Sequence, residues 1–193
     1  MCIRDRFRGT LRRGRHLGGR TDVSQATGRG IAPEEAPVNG IHVREIALGE
    51  LPIVAHIYGQ SFDEPYPEVV AASLLRTPGA WCLLAFGGPD RTPMGFLIAR
   101  VILDEAEVLS IGTLLEGRRQ GVGTALLRAT FDAARKEGAR VVHLEVGEDN
   151  PGAIALYHKL SFQPTGRRAD YYRRADRRRV AAILMTSDLT DLQ

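Results

Sequence analysis

The stretch that most constrains this chain is Arg118-Arg119-Gln120-Gly121-Val122-Gly123-Thr124. An apolar run, Val108 to Leu115, precedes it and predicts a strand, and an amphipathic helical pattern follows it. A strand that turns through two glycines straight into a helix commits the chain to an α/β arrangement. Gly121 and Gly123 also remove Cβ atoms at the turn, so a ligand can approach bare backbone amides. The first N–H groups of a helix lack internal partners, and the helix dipole adds partial positive charge beside them. The stretch therefore suits a phosphate or pyrophosphate, with Arg118, Arg119, Gln120, Gly121, Val122, Gly123 and Thr124 as candidate ligands. It is not a Walker loop, because no Lys-Ser or Lys-Thr follows at the GxxxxGK[ST] spacing.

The flanking patterns extend this unit into a single domain. Ile41, Val43 and Ile46 begin a strand-like segment, and Leu48 to Phe62 reads as a helix with Leu51, Val54, Ala55 and Tyr58 on its apolar side. A proline-punctuated loop, Ser61 to Pro67, leads to a short helix, Glu68 to Arg76. Trp81–Phe86 and Gly95–Leu103 are two strands joined by the turn-rich Gly87–Pro93, and the strand Glu107–Leu115 comes next. The helix Gly121–Glu137 carries Val122, Leu126, Ala129 and Ala133 on one stripe and stops at Gly138, a C′ glycine. After the strand Val141–Val146, Asn150 and Pro151 fill the N-cap and N1 positions of a helix that runs to about Leu160. Phe162–Tyr172 and Arg179–Thr186 finish as strands. The order is β-α-α-β-β-β-α-β-α-β-β, a mixed α/β sheet without internal repeats.

Charge and cysteine usage exclude several classes. Residues 1–40 hold eight Arg against four acids, whereas the rest of the chain is nearly balanced, with 18 Lys and Arg against 19 acids. The basic pI of about 9.1 therefore belongs to the N-terminal tail, with a second cluster at Arg167–Arg179, and direct nucleic-acid binding by the domain is not expected. The tail, rich in Arg and Gly and lacking any helical or strand period, is expected to be disordered. Its opening Met-Cys-Ile-Arg-Asp-Arg looks like the translated adapter that heads some metagenomic reading frames, so part of the tail is expected to be non-native; a basic arm for RNA is the rival reading. No apolar run approaches the roughly 20 residues of a membrane span. Cys2 and Cys82 show no metal-ligand spacing, so no metal is expected and a reducing cytoplasm is the natural setting.

Two side chains outside the loop bear on chemistry. Alternation along Val141–Val146 places Val142, Leu144 and Val146 on one face and Val141, His143 and Glu145 on the other. A carboxylate within an apolar strand is either a proton acceptor tuned by burial or a rim glutamate paired with an arginine. Tyr157 shares a helical face with Ile154, and packing alone would account for it. His143, His158 and the strand residue Cys82 read as structural. There is no Ser/His/Asp or Cys/His arrangement.

Taken in order over residues 41–187, these segments resemble the GNAT superfamily of N-acetyltransferases. Arg118-xx-Gly121-x-Gly123 matches its acetyl-CoA pyrophosphate loop, and Leu144-Glu145-Val146, Asn150 and Ala153-Ile154-Ala155-Leu156-Tyr157-xx-Leu160-x-Phe162 match the second half of that site. Within the superfamily the chain is most similar to the bacterial enzymes that acetylate the N-terminal alanine of a ribosomal protein. That likeness rests on the Leu-Glu-Val strand, the Ile-Ala-Leu-Tyr helix, and Tyr171-Tyr172 followed by Ala182-Ile183-Leu184-Met185.

The resemblance implies a mixed, mostly antiparallel sheet of about seven strands flanked by helices. It implies acetyl-CoA as co-substrate, a protein N-terminus as acceptor and direct attack in a ternary complex. Glu145 would be the general base and Tyr157 the general acid. Ile111, Gly112, Thr113 and Asn150 would join the loop in binding the cofactor, and Tyr157 would touch it too. Phe62, Tyr66, Tyr171 and Tyr172, with Glu145, would meet the acceptor, Tyr66 standing where the family has Trp. Gly112-Thr113-Leu114-Leu115 replaces the family's Ala-Val-x-Pro, and the missing proline is expected to loosen the turn. Acetylation of a small amine, a non-catalytic CoA-binding module and a ribosome-binding protein are the alternatives that sequence leaves open.

Overall fold

The computed structural model describes residues 40–47, 49–62 and 67–190. The expectations for the N-terminal tail, apart from Gly40, and for Tyr66 lie outside these residues. Seven strands form one sheet: β1 (His42–Glu45), β2 (Ala80–Gly87), β3 (Thr92–Ile102), β4 (Glu105–Thr113), β5 (Val141–Gly147), β6 (Gln163–Arg173) and β7 (Arg179–Asp188). Four helices accompany them: α1 (Leu51–Ser61), α2 (Pro67–Leu75), α3 (Val122–Lys136) and α4 (Pro151–Lys159). The spatial order is β1-β2-β3-β4-β5-β7-β6, and every neighbouring pair is antiparallel except β4–β5.

Two cores lie on opposite faces of the sheet. Along β2, Trp81, Leu83 and Ala85 enter the core that α3 and α4 cover, and Cys82, Leu84 and Phe86 enter the core under α1 and α2. A strand buried on both faces is apolar throughout, which is why β2 and most of β3 read as continuous apolar runs. On β5 only Val142, Leu144 and Val146 enter a core, the one beneath α3 and α4. Its other face carries His143 and Glu145 and is left without a helix.

Several boundaries differ from expectation for local reasons. Helix α1 begins at Leu51 and not Leu48, because Gly49 adopts φ +93° and the Glu50 carboxylate turns back to accept from Ala47 N and from Arg44. The hairpin between β2 and β3 is tighter than Gly87–Pro93: pairing continues to Gly87–Thr92, and Pro93 sits at a register irregularity that tolerates its missing N–H. Strand β4 stops at Thr113. The Leu114 N–H then turns to Met94 O (2.9 Å), and Leu115 is 74% exposed. Helix α3 ends as expected, with Gly138 at φ +88°, its N–H on Arg135 O and the Ala139 N–H on Ala134 O.

One irregularity positions the site. Ile98 pairs with Ser110 and Ala99 with Val108, so Leu109 is an extra residue in β4. Such a bulge bends its strand. Pairing of β4 with β5 covers only Glu105–Val141, Ala106–Val142 and Glu107–His143, although both strands continue beyond it. Past the bulge they part, leaving a gap between Ile111–Thr113 and Glu145–Gly147.

Candidate active site

A cleft of about 920 Å³ opens at this gap, on the side of α3 and α4. Its lining includes Ile111, Gly112 and Thr113 from the end of β4, Arg118 to Thr124 from the loop and the start of α3, and Asn150 and Tyr157 from α4 and its cap. Phe62 joins them from the end of α1. Every residue expected at the cofactor thus lines one cleft.

The loop geometry follows from its glycines. Arg119 and Gly121 adopt φ of +62° and +91°, and Gly121 is the N-cap of α3 with no side chain to occupy the first amides. The first backbone bond of the helix runs from Ala125 N to Gly121 O (2.9 Å), so the amides of Val122, Gly123 and Thr124 precede the regular ladder. A Cβ at Gly123 would meet Leu156 Cδ2 at 2.9 Å, which brings α3 and α4 close and directs both N-termini to the cleft. At Gly112 a Cβ would meet Phe96 at 2.6 Å and Ser61 Oγ at 2.8 Å. This close approach lets Ser61 donate to Thr113 O (3.3 Å) and brings the end of α1 to the cleft wall.

The turn that lacks the family's proline is closed by hydrogen bonds. Gly117 N donates to Leu114 O (3.0 Å), Arg118 N to Leu115 O (3.2 Å) and Gln120 Nε2 to Glu116 O (2.6 Å). Gln120 therefore braces the loop with its side chain. Asn150 is likewise engaged, its Oδ1 accepting from Ala153 N (3.1 Å) as the cap of α4.

Charge separates this cleft from the rest of the molecule. Its lining contains Arg118, Arg119, Arg128 and Lys159 and no carboxylate. With two helix N-termini beside it, the cleft fits a ligand with several phosphates. Arg128 and Lys159 escaped the sequence reading. Their signal was helical spacing, Arg128 standing four residues after Thr124 and Lys159 seven after Gly152, each on the cleft face of its helix.

The matching family model settles the classification: residues 47–162 fit that of the acetyltransferase (GNAT) family. The chain belongs to the GNAT acetyltransferases. It is 40% identical over 142 residues to the [ribosomal protein bS18]-alanine N-acetyltransferase of Escherichia coli strain K12, a match spanning 74% of this chain and 94% of that enzyme. The N-alpha-acetyltransferase RimI of Mycobacterium tuberculosis is 33% identical over 129 residues, 67% of this chain and 73% of that one. The crystal structure of the ribosomal-protein-S18-alanine N-acetyltransferase from E. coli superposes with a TM-score of 0.70 at 29% identity, covering 79% of this chain and 96% of its own.

In this GNAT enzyme the two residues expected to move protons lie on opposite sides of the sheet, Glu145 on the open face of β5 and Tyr157 on α4 across from it. Tyr157 is 3% exposed, packs edge-on to Phe162 (5.7 Å) in the α3–α4 core and lines the cleft; burial pushes its phenol up. Glu145 does not line the cleft. It projects from the uncovered face, only 10% exposed, with Arg168 Nη1 2.7 Å from its Oε1. Its Oε2 is buried without a hydrogen-bond partner of good geometry. Burial and then the Glu145 carboxylate push the nearby Tyr171 phenol up to about 12, and the Arg168 guanidinium stands 5.4 Å from the Tyr171 ring. Glu145 is thus a largely buried carboxylate paired with an arginine, which is the second of the two sequence readings.

The remaining expected acceptor residues are spread out. Phe62 is half-buried with its ring 4.7 Å from that of Tyr58, and Tyr172 is buried with Val180 and Ala182. Four of the seven arginines in Arg167–Arg179 are held in ion pairs: Arg168 with Glu145, Arg167 with Glu148 (2.8 Å), Arg174 with Asp149 and Arg178 with Asp176 (2.5 Å). Cys82 is buried, and burial pushes its thiol up, in keeping with a core thiol. Among the described residues no His/Cys/Asp/Glu group could hold a metal, and no helix is long and apolar enough to cross a membrane.

Proposed function

We propose that this chain acetylates the N-terminal α-amine of a protein, with the N-terminal alanine of a ribosomal protein as acceptor. The observation that carries the reading is the 40% identity over 94% of the length of an E. coli enzyme named for that reaction. The cytoplasm is the compartment this reading implies.

In this scheme acetyl-CoA supplies an activated acetyl thioester. The amides of Val122, Gly123 and Thr124, with Arg118 and Arg119, hold its pyrophosphate, and Arg128 and Lys159 add positive charge to the same wall. Ile111–Thr113 orient the acetyl end along the gap where β4 and β5 part. An α-amine with a pKa near ~8 is mostly protonated at neutral pH and must lose a proton before it can attack. Glu145 takes that proton, directly or through a water, from the uncovered face of the sheet. The amine then forms the new C–N bond as the C–S bond breaks, and Tyr157 donates its hydroxyl proton to the departing sulfur. The surplus proton on the new amide nitrogen leaves through water to restore the Tyr157 hydroxyl. Phe62 and Tyr171 contribute to the acceptor side of the site in this scheme, with Tyr172 packed behind Tyr171. A base and an acid on opposite sides of the sheet, with the gap between them, would let amine and thioester approach from opposite sides.

The test is acetyl transfer to peptides varied at their first two residues, read by mass spectrometry beside free polyamines and N-terminally blocked lysine peptides. Acetylation confined to free α-amines is expected. Acetylation of the polyamines or of lysine side chains alone would overturn the reading.

A further inference from the structure

The end of β4 has one polar contact that the sheet does not supply. Thr113 pairs with Gly95, and the Leu114 N–H bonds Met94 O (2.9 Å), so the main-chain groups of Leu114 point toward β3. Hydrogen-bonding direction alternates along an antiparallel strand. The N–H and C=O of Thr113 therefore point the other way, into the gap past the last β4–β5 pair, Glu107–His143. Strands β4 and β5 no longer pair there, and the partner of the Thr113 carbonyl comes from a helix. Ser61, the last residue of α1, donates its hydroxyl to Thr113 O (3.3 Å).

The packing around Ser61 holds it against the strand. A Cβ at Gly112 would stand 2.8 Å from Ser61 Oγ and 3.0 Å from Ser61 Cβ, so the serine lies directly on the glycine backbone. Phe96 Cε1 would be 2.6 Å from the same Cβ and closes the space beside it. The Tyr58 ring, 4.7 Å from that of Phe62 and 5.7 Å from that of Phe96, ties the end of α1 to this wall from below. Ser61 and Phe62 are the residues that α1 and its end bring to the cleft, and Ile111, Gly112 and Thr113 line the same cleft. One hydroxyl thus joins the helix that leads into the Phe62 segment to the strand end expected at the thioester.

We propose that Ser61 is a positioning residue for acetyl transfer: its hydroxyl anchors the Thr113 carbonyl and so keeps the Thr113 N–H aimed at the thioester oxygen. The inference rests on the reading of the cleft as the acetyl-CoA site. The thioester oxygen gains negative charge as the amine attacks, and a backbone N–H stabilises that charge fully only when it is held in place beforehand. Thr113 is the last residue of β4 and has no ladder on its gap side, so an anchor from outside the sheet is what holds it. Its carbonyl opens on the same side and, left bare, would oppose the developing charge; the Ser61 proton offsets that. Ser61 touches none of the reacting atoms in this scheme and acts through Thr113.

The experiment compares the full chain with its Ser61→Ala and Ser61→Thr variants. Infrared difference spectra of bound acetyl-CoA, isotope-labelled at the thioester carbonyl, read how strongly that carbonyl is polarised. In Ser61→Ala the stretch should move toward its value in free solution. Turnover should fall roughly 2- to 12-fold, the worth of one neutral hydrogen bond, while the calorimetric Kd for acetyl-CoA stays within about twofold. Ser61→Thr keeps the hydroxyl and should keep the wild-type stretch and most of the turnover. A merely structural serine would lower the Tm of Ser61→Ala and leave the stretch of the folded protein where it was, which would overturn the proposal. So would a loss of turnover explained entirely by a weaker Kd, or identical behaviour of the two variants. If the wild-type chain binds no acetyl-CoA in the calorimeter, the cofactor reading itself fails and the proposal falls with it.

Discussion

Arg168 and Glu145 meet at 2.7 Å across an intervening strand. Glu145 lies on β5 opposite Leu184 of β7, and Arg168 lies on β6 opposite Ala182 of the same β7. The guanidinium reaches over β7 to the buried carboxylate. An acceptor ammonium that approaches Glu145 must therefore compete with a cation already in place. Two further pairs, Arg167–Glu148 and Arg174–Asp149, tie β6 and the turn that follows it to the segment between Glu145 and the cap of α4.

Replacing Arg168 with Gln should remove that competitor. The KM for the acceptor is expected to fall by a few-fold, the scale of a partly exposed ion pair, while the KM for acetyl-CoA holds. Steady-state kinetics with each substrate varied would check this. A higher acceptor KM would mean that Arg168 helps to bind the acceptor.

Glu145→Gln keeps the shape of the side chain and removes the proton acceptor. Turnover should drop roughly 10²- to 10⁴-fold, with acetyl-CoA affinity nearly unchanged by calorimetry. Unaltered turnover would remove the base assignment.

Tyr157→Phe retains the ring that packs on Phe162 and loses the hydroxyl. Thermal stability should be close to that of the wild type while turnover falls by at least about tenfold. Wild-type rates across the pH range would leave Tyr157 a packing residue.

Gly112→Ala tests the contact between the end of α1 and β4. The added Cβ would stand 2.6 Å from Phe96 and 2.8 Å from Ser61, and overpacking of that kind costs about 1–3 kcal/mol. Differential scanning calorimetry should report a Tm lower by roughly 2–10 °C. No change would show that Phe96 moves aside freely.

Acid should destabilise the fold through two ion pairs. The hydrogen bonds from Arg44 to Glu50 and from Arg174 to Asp149 hold both carboxyls below their ordinary values. A carboxyl whose folded pKa is lowered contributes stability above its unfolded pKa of about 4, and that stability is lost as pH falls through the folded value. The Arg44→Met/Arg174→Met variant should therefore show a shallower fall of Tm between about pH 5 and pH 3 than the wild type. Parallel curves for the two proteins would assign the acid sensitivity elsewhere.

Local chemistry was enough to determine much of this protein from sequence alone. Gly121 and Gly123 at the turn, Asn150-Pro151 at a helix start, Gly138 at a helix end and the alternation through Val142, Leu144 and Val146 each act within a few residues. They specified the order of elements, the anion loop and the face on which Glu145 projects. Tertiary structure decided what depends on strands paired far apart in the chain. The extra residue Leu109 is visible only against Ile98 and Ala99, and it parts β4 from β5. The insertion of β7 between β5 and β6 sets Arg168 on Glu145, and the close packing at Gly112 and Gly123 carries Ser61 and the face of α4 to the cleft. Periodicity tells which side of an element a residue faces. Which neighbour it meets there is set by register between strands, and register is a property of the whole sheet.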